Sequence, residues 1–143
     1  MSVPVSVGGV RVGVVSLGVC VGLGVSLIAQ TPITPPDNKY SLKEDVELGR
    51  EAEAEVRKTV RIWGNADVGE YLGGLGRDLV RTVPDRFDYR EFSYTFTPVD
   101  SKDINAFALP GGPMFINRGL ISAAGSEGEL VGVMAHELAH VVL

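Results

Sequence analysis

Ser126-Glu127-Gly128-Glu129 stands directly before the apolar run Leu130-Val131-Gly132-Val133-Met134, and this pairing dictates an amphipathic helix at the carboxy-terminal side of the sequence. A hydroxyl followed three residues later by a carboxylate has the form of a capping box, in which each side chain satisfies an amide that the first helical turn leaves open. The helix should therefore start at about Glu127. At ~100° per residue, Val131, Met134, Leu138 and Val141 gather on one face, with His136 on the opposite one. The apolar face has to pack on a core, and the histidine face is left turned toward a cleft.

His136 and His140 are the only two histidines in the chain. A spacing of four places two imidazoles one helical turn apart on the same side, close enough to bind one zinc ion at ~2.0–2.1 Å each. Glu137 follows the first of them, so its carboxylate projects beside the ion and not at it. From there it can take a proton from metal-activated water and later return it to the leaving amine. The His136-Glu137-Leu138-Ala139-His140 pattern thus predicts His136 and His140 as metal ligands, Glu137 as the catalytic base and then acid, and Zn2+ as the single cofactor. The plain alternative is two histidines decorating a helix surface, which leaves Glu137 between them without a reason.

Upstream, Ser41-Leu42-Lys43-Glu44 is a further capping box and predicts a helix start. Val46, Gly49, Val56, Val60 and Trp63 continue a helical stripe that Gly64-Asn65 should end. Val68, Leu72, Leu75 and Leu79 mark a second amphipathic helix, running to about Val83 and stopped by Pro84. Trp63 and Tyr71 are expected in the core. Residues 92–97 alternate apolar and polar side chains with the period of a half-buried strand. Residues 105–109 and 114–117 read as two short strands around Pro110-Gly111-Gly112-Pro113, a segment that compels a turn. Helix, helix, strands and a final chemistry-bearing helix make an α+β class.

Residues 12–29 carry no charge and are rich in Val, Leu and Gly, with Arg11 just before them. Residues 1–29 are read as a signal peptide or a membrane anchor, the two alternatives standing side by side, because the run is at the lower limit for crossing a ~30 Å hydrocarbon core. Either reading implies export to the periplasm or a membrane-anchored position facing out of the cytoplasm, with membrane contact through this segment. Residues 30–40 hold Pro32, Pro35 and Pro36 among polar residues and form a linker. The folded part is expected over residues 41–143.

The chain has 143 residues, with 45% hydrophobic and 22% charged side chains, which excludes disordered and fibrous classes. Its net charge of -5 and the lack of any Lys/Arg run exclude nucleic acid as a partner. Cys20 is the only cysteine, so an intramolecular disulfide and a cysteine zinc cluster are excluded. Within its apolar run it is a buried thiol, or, since Leu17-Gly18-Val19-Cys20 loosely resembles a lipobox, a lipid-modified one.

Four segments in order, Asp45-Val46-Glu47-Leu48-Gly49-Arg50-Glu51, Ile104-Asn105-Ala106-Phe107-Ala108-Leu109-Pro110-Gly111-Gly112, Asn117-Arg118-Gly119-Leu120 and Val133-Met134-Ala135-His136-Glu137-Leu138-Ala139-His140, resemble family 48 of the zinc metallopeptidases. That family includes CAAX prenyl endopeptidases and bacterial periplasmic proteases, and the resemblance, over residues 41–143, is to the exported bacterial branch. It implies a zincin-like fold, His136 and His140 as ligands, Glu137 as the catalytic group, and a polypeptide substrate. It also implies that Ala106, Phe107 and Ala108 form a strand bordering the cleft, able to hold a substrate backbone by strand addition. In the family the third zinc ligand is a glutamate on a later helix, so the chain is expected to be the amino-terminal part of a peptidase domain, with an incomplete site. The competing expectation is a non-catalytic domain that binds extended polypeptide without cleaving it.

Overall fold

The structure is a computed structural model and describes residues 39–143. The apolar run at residues 12–29, Cys20 and nearly all of the linker lie outside the described residues. Among the described residues no helix is long and apolar enough to cross a membrane.

Helix α1, Leu42–Thr59, begins as the capping box predicts: Ser41 accepts a hydrogen bond from the Glu44 backbone, and Glu44 Oε2 accepts from the Ser41 N–H at 2.7 Å. The Ser41 N–H and then the Ser41 hydroxyl, both donating to that oxygen, hold the Glu44 carboxyl below its ordinary value. The helix ends before the expected Gly64-Asn65 stop. The β-branched stretch at Val60 and Ile62 leaves the helix and lies along a sheet edge, where the Trp63 N–H donates to the Pro98 carbonyl and the Asp100 N–H to that of Arg61. Trp63 is only partly buried, with the Arg118 guanidinium 5.6 Å from its ring centre.

Helix α2, Ala66–Val80, is capped by the Asn65 side chain accepting from the Val68 N–H. A short 3-10 turn at Asp85–Phe87 leads to strand β1, Thr95–Val99. The expected strand at residues 92–97 thus starts three residues late. Phe92 and Tyr94 are instead engaged with Tyr89 in an aromatic cluster, ring centres 5.1 and 6.2 Å apart along the series. Pro98 is tolerated inside β1 because its carbonyl faces the residue 61–63 edge, so the missing N–H falls on the side away from the sheet.

Strands β2, Ala106–Ala108, and β3, Pro113–Asn117, complete a three-stranded sheet of order β1-β3-β2. Strand β3 is central and buried throughout, parallel to β1 and antiparallel to β2. The turn between β2 and β3 is made by glycines in the left-handed region, with φ of 74° at Gly111 and 115° at Gly112. Helix α3, Arg118–Ala123, follows β3 without a break, and helix α4, Glu127–Val142, closes the described residues. The mixed helix-and-sheet arrangement is α+β, as the sequence leads one to expect.

Alternation along β3 divides the molecule into layers. Met114 and Ile116 point to the main core, where they meet Leu72 of α2 and Leu130, Met134 and Leu138 of α4. Phe115 points the other way, stacks on Phe107 at 5.1 Å, and is covered by Arg57 of α1 at 5.7 Å. The buried positions of α4 are Leu130, Met134, Leu138 and Val142, a ridge of fourth residues, whereas Val131 and Val141 lie at its margins. That ridge still lies opposite His136.

Ser126 caps α4, accepting from the Glu129 N–H at 3.3 Å. The reciprocal bond is displaced by one residue: Glu129 Oε2 accepts from the Gly125 N–H at 2.8 Å and not from that of Ser126. Ser126→Ala should cost about 0.5–2 kcal/mol of stability, read as a lower denaturant midpoint at unchanged slope.

Tyr94 makes the fold sensitive to alkali. Burial, and after it the Asp88 carboxylate, push its phenol up to about 12 from 10.0, while the neighbouring Tyr89 backbone lowers it slightly without closing a hydrogen bond of regular geometry. The fold therefore prefers the protonated phenol. Its contribution is intact below the unfolded value and is lost as pH rises from about 10 toward 12. Melting temperatures across that window should fall less for Tyr94→Phe than for the native chain.

Candidate active site

The predicted chemistry-bearing residues lie on the outer face of α4. With Met134 and Leu138 1% and 4% exposed, the helix cannot rotate about its axis without exposing its ridge, and the histidines are fixed on the solvent side. His136 and His140 are both exposed, and Glu137 between them is half-buried. The two Nε2 atoms converge to 3.0 Å, with ring centres 4.6 Å apart and ring planes at 88°. At that separation one ring donates to the other when a single Nε2 carries a proton.

The chemistry of this donor pair fits a zinc ion. Two Zn–N bonds of ~2.0–2.1 Å in tetrahedral geometry hold their nitrogens about 3.3 Å apart, so an opening of a few tenths of an ångström suffices. Two neutral imidazoles are also among the ligand types that catalytic zinc sites use. Among the described residues no third His, Cys, Asp or Glu side chain joins them in a metal-sized cluster. Glu129, one candidate on the same helix, is instead engaged with the Gly125 N–H.

Beside α4 runs β2, the outer strand of the sheet, with Ala106 and Ala108 both in contact with the core cluster that α4 completes. The pairing fixes where its backbone groups point. The Asn117 N–H donates to Asn105 and the Leu109 N–H to Pro113, either side of the opposed pair Phe107 and Phe115. In an antiparallel ladder the alternate residues turn their N–H and C=O groups outward. Those residues are Ala106 and Ala108, and no strand pairs with them on that side among the described residues. Phe107 turns its backbone inward and its ring toward Phe115. The other edge of the sheet, along β1, is already engaged by residues 61–63.

One contact of the histidine-bearing helix had no signal in the sequence. Tyr71, expected in the core, is 43% exposed, and its hydroxyl donates to Glu127 Oε2 at 2.9 Å. This bond raises the phenol above its ordinary value and ties α2 to the first turn of the histidine-bearing helix. The partners are 56 residues apart, so no local pattern links them.

Comparison with known proteins finds similarity to peptidases. Residues 76–143 match the model of peptidase family M48. The chain is 42% identical over 74 residues to a candidate beta-barrel assembly-enhancing protease of Vibrio cholerae, covering 52% of this chain and 14% of that protein. It is 42% identical over 53 residues to the mitochondrial metalloendopeptidase OMA1 of Bos taurus, covering 37% of this chain and 10% of the relative. The beta-barrel assembly-enhancing protease of Escherichia coli is 25% identical over 108 residues, 76% of this chain and 21% of its own length. The chain thus spans between 10% and 21% of the length of these curated relatives.

Proposed function

The chain belongs to peptidase family M48, and from that premise we propose that it supplies the metal-binding and proton-transfer helix of a zinc-dependent metalloendopeptidase. The observation that carries the proposal is the convergence of His136 and His140 at 3.0 Å on the outer face of α4, with Glu137 beside them. His136 and His140 would hold the zinc, and a third protein ligand would come from outside the described residues. When bound, zinc makes water acidic enough to attack at neutral pH and polarises the scissile carbonyl.

The chain's own groups supply the rest. Glu137, half-buried beside the pair, accepts the proton of the attacking water and delivers it to the departing amine. An extended substrate pairs with the outward N–H and C=O groups of Ala106 and Ala108, which grips the main chain whatever the side chains are. Phe107 contributes by anchoring the strand on Phe115, not by a backbone contact. The substrate class is extended polypeptide, in keeping with relatives named as proteases, two of them for beta-barrel assembly. The charge-free run at residues 12–29 supports placing the protein outside the cytoplasm, exported or membrane-anchored.

A second reading is favoured by one observation, that only two metal-binding side chains converge among the described residues. In it the domain grips extended polypeptide at β2 without hydrolysing it. Zinc content and casein cleavage separate the two. The proposal expects about one zinc per chain, cleavage that stops on chelation and returns with zinc, and loss of both zinc and cleavage in His140→Ala. Casein binding without zinc uptake or cleavage would establish the second reading instead.

A further inference from the structure

Between the carboxy-terminal half of α2 and the start of β1 lies an open pocket of about 270 Å³, lined by Arg77, Val80, Arg81, Tyr94 and Phe96. None of His136, Glu137 and His140 borders it. Its polar groups are poorly used by the fold itself. The Arg77 side chain makes no hydrogen bond or ion pair among the described residues, and its guanidinium lies back along the helix beside Gly73 and Gly74, which carry no side chains of their own. Arg81 pairs with Asp78 at 2.7 Å, but both side chains are 75% exposed, so that pair exchanges readily with solvent or ligand. The Tyr94 hydroxyl is buried and has no hydrogen-bond partner of regular geometry among the described residues, a condition native proteins seldom leave unexplained.

We infer that this pocket binds a carboxylate carried on an apolar body, the chemistry of a polypeptide's free carboxy terminus ending in an apolar residue. Arg77, joined by Arg81, receives the carboxylate, since a guanidinium fork matches its two oxygens. The Tyr94 hydroxyl donates to the same group and gains the partner it lacks. Val80 and Phe96 form the apolar wall. The volume falls just below the ~300–1,000 Å³ of sites for drug-sized ligands, the scale of one terminal residue and not of a long acyl chain. Two acids bear on the pocket, Asp78 on Arg81 and Asp88 on Tyr94, and they favour a single negative charge over a phosphate dianion. The inference is independent of peptide hydrolysis.

Calorimetric titration of the full chain tests it, using N-acetylphenylalanine, its amide, octanoate and inorganic phosphate as probes. N-acetylphenylalanine should bind saturably, with the amide at least about tenfold weaker because it lacks the charge. Arg77→Gln should weaken the acid by about tenfold or more, and Tyr94→Phe by several-fold, with circular dichroism unchanged in both. Equal binding of acid and amide, no saturation up to roughly 10 mM, or full affinity in folded Arg77→Gln would overturn the proposal. Tighter binding of octanoate than of N-acetylphenylalanine would replace a peptide terminus by a fatty acid, and phosphate competing as well as the acid would remove the apolar recognition; either result overturns it too.

Discussion

Glu137→Gln should lower the rate of casein cleavage by about 10²–10⁴-fold, the usual contribution of a positioned proton-transfer group, while zinc content stays at the native level. The amide has nearly the shape of the carboxylate, so packing against α4 is preserved and only the ability to take up a proton is lost. Glu137 is half-buried and its side chain makes no hydrogen bond or ion pair among the described residues, while the helix rests on Leu130, Met134, Leu138 and Val142. The pairing of lost turnover with retained metal separates Glu137 from His136 and His140, whose removal should lose the metal as well. Native-level cleavage by the variant would remove Glu137 from the chemistry.

The largest effect on stability is expected at Gly49. It is the buried residue of α1, and a Cβ built there runs into the Pro110 carbonyl at the β2–β3 turn. Backbone cannot yield as a flexible side chain can, so Gly49→Ala must push α1 off the turn. Overpacking of this kind costs about 1–3 kcal/mol or more, and it overrides the roughly 1 kcal/mol by which alanine favours a helix over glycine. Gly69 of α2 provides the contrast, because a Cβ there meets nothing within 4 Å. Gly69→Ala should raise the melting temperature and Gly49→Ala should lower it. Two identical substitutions with the same sign would refute the close approach of α1 to the turn.

The parts of the molecule governed by local rules were readable from the chain. The Ser41 and Glu44 box, the start of α4 at Glu127, and the histidine pair one turn apart all depend on residues within four positions of each other. What could not be read depends on distant partners. Helix α1 stops at Thr59 because residues 61–63 find hydrogen bonds on the edge of β1, which no helical periodicity reveals. Strand β1 starts at Thr95 because its register is set by Pro113 on β3. Helix α3 escaped detection because it has six residues, opens on Arg118 and Gly119, and gets no side-chain cap from Asn117. Tyr71 was misplaced because its partner Glu127 is remote in sequence, and because an aromatic side chain can equally spend its hydroxyl on the surface.

The open side of β2 has a consequence for solubility. A strand that offers outward N–H and C=O groups to a guest chain offers them equally to another copy of itself, which is how sheet edges seed aggregates. Here the strand with the unpaired edge is only three residues long, and Pro110 follows soon after it, so an intruding strand would find few main-chain bonds before the path turns away. Brevity is thus a guard against edge-to-edge pairing between copies.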